Sequence, residues 1–225
     1  MKIIGNGMIA QSFKDYDFGP VCIFASGVSD STESDTSKYL KEYELVKRML
    51  NESESNLFVY FSTLSVLKCD YTEYVKHKLF IEFYIKSVTN NFLILRLPNI
   101  VGKTKSENQL LPFLYNSLLK KEKIQVKKDT IRDLIDVGDL PKIVEFCIDK
   151  NINGIINTSL ENKIKVIDII DYLIKINDIK DSNVELIDGH QNIEYVNDIK
   201  NYYEDLSMKN VNLNPNKIIE KYYGR

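Results

Sequence analysis

Several features are scarce in this chain, and each scarcity excludes a class of protein. Its three cysteines, Cys22, Cys69 and Cys147, lie far apart and show no CxxC or Cys/His spacing. The sequence therefore predicts no disulfide framework and no metal site, and indicates reduced cysteines in a cytoplasmic protein. No run of about 18 apolar residues occurs, and the first residues form no continuous apolar segment, so neither secretion nor membrane spanning is expected.

An excess of charge of one sign is also missing. The 225 residues include 30 Lys and Arg and 32 Asp and Glu, which give a formal net charge of −2. Because the two signs are mixed along the chain, no basic face for nucleic acid or an anionic membrane is predicted. With 44% hydrophobic residues the chain is typical of a globular domain, and its expected partner is a small molecule or a second copy of itself.

Short apolar runs alternate with segments of helical period, which is typical of a parallel α/β sheet. Such strands are covered on both faces, and five are predicted: Lys2 to Ile4, Val21 to Ala25, Leu57 to Ser62, Phe92 to Leu97 and Gly154 to Asn157. Helices are predicted over residues 38–50, 74–87, 110–119, 141–148 and 166–176. The first two carry apolar residues at helical spacing: Leu40, Tyr43, Val46 and Leu50, and Val75, Leu79, Phe80 and Tyr84.

The first predicted strand runs into a glycine turn, IIGNGMIA. In G-x-G-x-x-A, Gly5 permits the tight turn, Gly7 lets the backbone approach a pyrophosphate, and Ala10 allows close packing of helix on strand. Phosphate charge then rests on the helix N–H groups. A glycine turn in any βα unit has a similar sequence, so this motif alone leaves cofactor binding open.

A second pattern carries acid/base chemistry. The predicted strand FVYFST ends in Ser62 and Thr63, and Tyr74 and Lys78 follow as Y-x-x-x-K. Four residues apart on a helix, Tyr74 and Lys78 share a face, so the ammonium favours the ionised phenol. Such a tyrosine exchanges a proton with a substrate oxygen that Thr63 can hydrogen-bond, which suits alcohol/carbonyl interconversion with a nicotinamide. With 14 tyrosines, a chance Y-x-x-x-K on an amphipathic helix is the alternative.

In this order, the motifs resemble those of the extended short-chain dehydrogenase/reductases, in particular the NAD-dependent epimerase/dehydratase group that acts on nucleotide sugars. VCIFASG resembles the strand beneath the nicotinamide, FSTLSV the strand with the catalytic hydroxyl at Thr63, and YVKHKLFIE the Y-x-x-x-K helix with its glutamate, Glu82. ILRLPNIVGK resembles R-x-x-N-V-Y-G, and IRDLIDVGDL resembles R-D-F-I-H-V-x-D-L.

The resemblance implies a role for each motif. Tyr74 is the general acid/base, Lys78 favours its ionised form and binds the nicotinamide ribose, and Thr63 hydrogen-bonds the reacting oxygen. The implied cofactor-binding residues are Gly5, Gly7, Met8, Ile9, Ala25, Ser26, Tyr74, Lys78 and Pro98, and the implied substrate-binding residues are Ser62, Thr63, Asn99 and Arg132.

Arg132 is the implied ligand of the substrate diphosphate, because a guanidinium fork matches that group. Pairing of Arg132 with Asp133 or Asp136 is the alternative, and Asp139 is interpreted as structural.

The chain departs from the family pattern after the glycine turn. The ten residues between Ala10 and Val21 cannot hold two crossovers, so strands 2 and 3 of the family are predicted to be missing. The acid that binds the adenosine ribose lies about 20 residues after the glycines, at the end of strand 2, and is therefore also predicted to be missing. Asp15 or Asp17 could replace it only if their loop folds back under the adenosine.

Taken together, the sequence predicts an α/β, Rossmann-like parallel sheet with flanking helices and a small C-terminal substrate lobe. Residues 1–160 form the core of a single domain, and the lobe comes mainly from residues 103–130 and 160–225. The resemblance also implies a homodimer through the two helices at 38–50 and 74–87, although their apolar residues could equally face the sheet.

The expected function is NAD- or NADP-dependent reduction or epimerisation of a 4-keto nucleotide sugar, for bacterial surface-polysaccharide sugars. Dehydration is not expected, because Leu64 and Ser65 stand where dehydratases carry an Asp-Glu pair. The alternative is a non-catalytic relative that binds a nucleotide sugar or a protein partner and has a degenerate cofactor site.

Overall fold

The computed structural model describes residues 1–52, 56–68, 71–104, 107–160, 162–189 and 198–224, and Cys69 lies outside them. The strands are β1 (Lys2–Ile4), β2 (Val21–Phe24), β3 (Leu57–Thr63), β4 (Phe92–Leu97), β5 (Asn99–Val101), β6 (Ile124–Lys127), β7 (Ile131–Asp136), β8 (Gly154–Asn157), β9 (Lys163–Lys165) and β10 (Val184–Ile187). The α-helices are α1 (Met8–Ser12), α2 (Thr36–Glu52), α3 (Glu73–Val88), α4 (Leu110–Leu119), α5 (Leu140–Asp149), α6 (Val166–Ile176), α7 (Tyr203–Met208) and α8 (Pro215–Tyr223).

The central sheet contains the five predicted strands in the order β1-β2-β3-β4-β8, and every neighbouring pair is parallel. The α/β, Rossmann-like fold is therefore confirmed, with β2 ending one residue earlier and β3 one residue later than predicted. Strand β1 is at one end of this order, and residues 5–20, all of which are described, contain α1 and no strand. That strands 2 and 3 of the family are missing here stays a prediction.

Two apolar layers cover the faces of the central sheet. Successive side chains of a strand point to opposite faces, so Ile23 and Val59 pack on one side and Cys22, Phe24 and Phe58 on the other. Helices α1 and α5 complete the first layer, and α2 and α3 complete the second. Apolar runs without polar alternation became strands because both of their faces are buried.

The apolar residues predicted at helical spacing on α2 and α3 divide between the sheet and the surface. Val46 and Leu50 pack in the layer on the sheet, whereas Leu40 is 61% exposed and Phe80 is 49% exposed. The buried stripes instead include three charged residues, Glu42 on α2 and Lys78 and Glu82 on α3. Charged side chains that bind one another can be buried, so hydropathy alone does not determine the rotation of these helices.

A second hydrophobic cluster lies beyond the central sheet. Helices α4, α6 and α8 pack there around residues that include Leu114, Leu173 and Ile218. Strands β6 and β10 pair in parallel, and β7 joins β5 and β9 in a separate three-stranded sheet. None of the helices in the described part of the chain is both long and apolar enough to cross a membrane.

Candidate active site

A cleft of about 600 Å³ lies at the carboxyl ends of β1, β2, β3 and β4, where open α/β sheets bind their ligands. Its other wall comes from the first turn of α4, from β7 and from the end of α8. All predicted site residues except Gly5 and Ser26 line this cleft: Gly7, Met8, Ile9, Ala25, Ser62, Thr63, Tyr74, Lys78, Pro98, Asn99 and Arg132.

The glycine turn has two glycines with different constraints. Gly5 has a φ of +122°, and a Cβ there would lie 2.3 Å from the carbonyl oxygen of Ala25. Only glycine fits, because the conformation and the close approach both exclude a side chain. Gly7 lines the cleft, and a Cβ there would meet nothing within 4 Å. The open space above Gly7 is therefore where a pyrophosphate could approach the backbone.

The acids proposed for the adenosine end lie elsewhere. Asp17 accepts hydrogen bonds from the ammonium of Met1 at 3.2 Å and from the N–H of Gly19 at 3.0 Å. Neither Asp15 nor Asp17 is among the described residues that line the cleft. The loop thus does not fold back as a ribose-binding acid would require, which corrects that alternative.

The two hydroxyls at the end of β3 have different surroundings. Ser62 is buried and donates a hydrogen bond to Glu82 Oε1 at 2.5 Å. Thr63 caps the following 3-10 turn, where its Oγ1 accepts from the N–H of Ser65 at 3.1 Å. Because Oγ1 serves there as acceptor, the Thr63 O–H can still donate into the cleft.

Glu82 on α3 connects this helix to β3 and β4 through hydrogen bonds. Besides Ser62 on β3, its carboxylate accepts a fork of hydrogen bonds from Arg96 on β4, with Nη2 to Oε2 at 2.6 Å and Nε to Oε1 at 3.0 Å. Both partners are largely buried, and a bidentate geometry of this kind is among the stronger charged contacts. Helix α3 is thereby held in a fixed position over the strand ends.

Tyr74 and Lys78 lie on the same side of α3, as predicted. Thr72 caps this helix, accepting a hydrogen bond from the N–H of Val75 at 3.3 Å, which places Tyr74 in the first turn. The Lys78 Nζ atom lies 5.7 Å from the centre of the Tyr74 ring, and both residues line the cleft. The ammonium is thus within the range at which a cation interacts with an aromatic ring.

Glu42 is a site residue that the sequence analysis missed. It is 3% exposed, and its Oε1 accepts hydrogen bonds from Lys78 Nζ at 3.0 Å and from Tyr60 O–H at 2.6 Å. Burial by itself raises the pKa of the Glu42 carboxyl, but the Lys78 ammonium, the neighbouring His77 and the hydrogen bonds from Tyr60 and the Val28 N–H lower it to about 2. The sequence did contain an indication, because Glu42 falls at helical spacing between Tyr39 and Val46, on the buried face of α2.

The opposite wall of the cleft carries Arg132, whose Nη1 donates to the carbonyl of Ile131 at 2.9 Å. The acids considered as its partners make other bonds: Asp133 accepts from Ser159, and Asp136 accepts from Lys221 and Tyr222, both at 2.6 Å. Asp139 is buried and accepts from Lys142 and from the N–H of Asn212, in keeping with a structural role.

Tyr223, at the end of α8, is a second lining residue that the sequence analysis missed. Its ring packs edge-on against Tyr115, with ring centres 5.4 Å apart, and burial raises the pKa of Tyr223 to about 12. No local pattern indicates this position, because tertiary contacts hold α8 at the cleft: Lys221 and Tyr222 bind Asp136, and the helix packs in the second cluster.

Comparison with known proteins gives no match to a protein-family model and none to a curated protein sequence. Solved structures do match. A dTDP-4-dehydrorhamnose reductase from Clostridium acetobutylicum is 16% identical, with a TM-score of 0.72 over 99% of this chain and 98% of that chain. The chain has the fold of this reductase.

Two further structures agree. UDP-glucuronic acid 4-epimerase from Bacillus cereus, in complex with UDP-glucuronic acid and NAD, is 19% identical, with a TM-score of 0.69 over 96% of this chain and 76% of that chain. A dTDP-4-dehydrorhamnose reductase from Bacillus anthracis, in complex with NADP, is 16% identical, with a TM-score of 0.66 over 90% of this chain and 78% of that chain. The fold implied by the resemblance to the extended short-chain dehydrogenase/reductases is thereby confirmed.

Proposed function

We propose that the protein is a nicotinamide-dependent enzyme that reduces or epimerises a 4-keto nucleotide sugar, in the synthesis of sugars for a bacterial surface polysaccharide. The observation that carries this proposal is the meeting of Thr63, Tyr74 and Lys78 in one cleft with the glycine turn at Gly7 and with Arg132. Solved structures of the same fold include enzymes in complex with NAD, NADP and a nucleotide sugar, which supports the same classes of ligand here.

The proposed reaction is simplest in the reductive direction. A bound reduced nicotinamide would supply a hydride to the carbonyl carbon. The Tyr74 hydroxyl gives its proton to the carbonyl oxygen, so that C=O becomes CH–OH, and the phenolate takes its proton back from solvent. The Lys78 ammonium stabilises the phenolate, and the Thr63 hydroxyl donates a hydrogen bond to the reacting oxygen.

The residues present fit one half of the cofactor better than the other. The open backbone at Gly7 suits the pyrophosphate, and Thr63, Tyr74, Lys78 and Pro98, which line the same cleft, would hold the nicotinamide ribose and ring. At the adenosine end, the lining in the described part of the chain contains neither Asp15 nor Asp17. Binding is therefore expected to depend mainly on the nicotinamide half and the pyrophosphate.

The lack of Asp15 and Asp17 in the described lining of the cleft favours a second candidate function. This candidate is a non-catalytic protein that binds a nucleotide sugar or a protein partner. Titration of the protein with NADH and NADPH, followed by nucleotide fluorescence, separates the two. The enzyme proposal predicts saturable binding of one of them at millimolar concentration or below. Binding of dTDP- or UDP-sugars without any binding of either cofactor supports the second candidate instead.

Tyr74→Phe tests the chemical step. Removing a general acid costs about 100-fold or more in kcat, so the variant should bind cofactor normally and reduce a 4-keto nucleotide sugar at least about 100-fold more slowly. Tyr84→Phe is the matched control, because Tyr84 lies on the same helix, packs against Tyr43 and is not among the described lining residues. Unchanged turnover by Tyr74→Phe would contradict the role proposed for Tyr74.

We also propose that the second hydrophobic cluster forms the substrate lobe and that the chain forms a homodimer through α2 and α3. Leu40 and Phe83 are 61% and 72% exposed on these helices. On the same two helices, the Tyr43 ring lies 5.2 Å from that of Phe80 and 5.0 Å from that of Tyr84. An apolar patch of this kind suits a self-complementary interface about a two-fold axis.

A further inference from the structure

The buried contacts of Lys78 form a closed network beneath the cleft. Lys78 is 2% exposed, and its Nζ donates to Glu42 Oε1 and to the Tyr60 hydroxyl, both at 3.0 Å. Because a carboxylate only accepts, the Tyr60 O–H must donate to Glu42 and accept from Lys78. The hydrogen bonds in the described part of the chain use two of the three N–H groups of Lys78, which leaves one for the cleft.

Glu42 is the charge that allows Lys78 to be buried. An ammonium without a counter-ion is strongly disfavoured at this depth, so removing the carboxylate favours the neutral amine. The nearby carboxylate of Glu82, which also acts on Tyr60, is paired with Arg96. The Tyr60 ring lies 5.1 Å and the Tyr74 ring 5.7 Å from Nζ, and His77 Nε2 lies 3.0 Å from Glu42 Oε2 without hydrogen-bond geometry.

The network also reaches the loop that follows β2. Glu42 Oε2 accepts a hydrogen bond from the N–H of Val28 at 2.7 Å. The preceding residue, Gly27, covers the ion pair so closely that a Cβ there would lie 2.7 Å from Lys78 Nζ and 2.8 Å from Glu42 Oε1. The next residues of this loop, from Ser29 to Ser31, line the cleft. One carboxylate therefore contacts both the proposed catalytic lysine and the cleft wall.

From these contacts we infer that Glu42 is a positioning residue, which keeps Lys78 protonated, aims it at Tyr74 and the cleft, and holds the Gly27 and Val28 backbone over it. This inference rests on the proposed function of the cleft. It adds to that function a buried residue that never touches substrate and acts through Lys78.

Glu42→Gln tests the inference, because the amide keeps the shape of the side chain and removes its charge. We expect kcat/KM to fall about 100-fold near neutral pH, and the alkaline limb of the kcat/KM profile to move to lower pH by at least about one unit. A merely structural role would lower activity without moving that limb. Glu44→Gln is the matched control, because Glu44 is an exposed residue on the same helix. A Glu42→Gln profile that overlays that of the unmodified protein would overturn the inference.

A readout without substrate is available from the lysine itself. With [ε-¹⁵N]lysine-labelled protein, the NMR signal that disappears in Lys78→Met identifies Lys78, and in Glu42→Gln that signal should titrate at lower pH than in the unmodified protein. Unchanged titration would count against the inference whatever the enzyme assay shows. Conversely, full turnover by Tyr74→Phe contradicts the proposed function, so the two failures can be told apart.

If Glu42→Gln does not fold, a double substitution decides the question. Replacing both charges of a buried pair by apolar residues is far better tolerated than removing one. We expect Glu42→Met combined with Lys78→Met to fold and to show the same kcat/KM as Lys78→Met alone. A further loss of activity in the double variant would show that Glu42 acts independently of Lys78 and would overturn the inference.

Discussion

Asp133 lies within β7 with none of its surface exposed. Burial raises the pKa of its carboxyl from 3.8 to about 6, against opposing hydrogen bonds from Ser159 and from the backbone of Leu160 and Asn162. Between these two values the folded protein holds a proton that the unfolded chain has lost. The stabilising contribution of the protonated Asp133 carboxyl to the free energy of unfolding is therefore fully present below about pH 4 and is lost as the pH rises through about 6.

The size of this effect follows from the two pKa values. The difference between 3.8 and about 6, at about 1.4 kcal/mol for each pH unit, amounts to about 3 kcal/mol. Asp133→Asn removes the titrating proton and keeps a side chain of the same shape. Relative to the unmodified protein, the variant should therefore gain about 3 kcal/mol of stability between pH 4 and pH 7. For a domain of this size that corresponds to about 6 to 12 °C in Tm.

Urea unfolding at pH 4, 5, 6 and 7 measures this change, with unchanged m values as the check that the unfolded state is the same. Asp15→Asn provides the matched control, because Asp15 is exposed and its substitution should leave the pH dependence as it is. If the stability difference between Asp133→Asn and the unmodified protein is constant across this range, the argument from burial is wrong.

Two further predictions concern the glycine turn and the surface of α3. Gly5→Ala should destabilise the protein by at least about 2 kcal/mol, because its Cβ would lie 2.3 Å from the Ala25 oxygen. Gly7→Ala should leave Tm unchanged, because its Cβ would meet nothing within 4 Å, and should weaken NADH or NADPH binding at least about 10-fold. Equal effects of the two substitutions on stability would contradict this account. Phe83→Lys should convert the proposed dimer to monomer in sedimentation velocity without lowering Tm, since Phe83 is 72% exposed. A monomeric unmodified protein would refute the dimer.

Much of the fold could be predicted because it depends on local burial. Each strand of the central sheet is a short apolar run, such as Phe92–Leu97, and the pattern survives because helices cover both faces. The strands outside that sheet were missed. Strand β6 pairs with β10 across about 60 residues of chain. In β6 an exposed polar position alternates with each buried one, and in β10 no residue is fully buried, so neither strand has a continuous buried apolar run.

The candidate site was predictable to the extent that its residues follow strand ends or share a helix face. Thr63 ends β3, Pro98 follows β4, and Tyr74 and Lys78 are one helical turn apart, so topology alone brings them to one edge of the sheet. Glu42 was missed because an acid on a helix is ordinarily solvated. Its importance comes from Lys78, 36 residues later in the chain.

The sequence by itself thus determined the parallel sheet, the glycine turn and the residues at the carboxyl ends of the strands, because period and turn chemistry are local properties. Only the tertiary structure decided the rotation of α2 and α3, the burial of Glu42 with Lys78, and the arrival of Tyr223 in the cleft. Each of these depends on a charged or aromatic side chain finding a partner far along the chain. The free energy of such a contact depends on the distance and orientation of two side chains that are far apart in the sequence, which local sequence patterns do not determine.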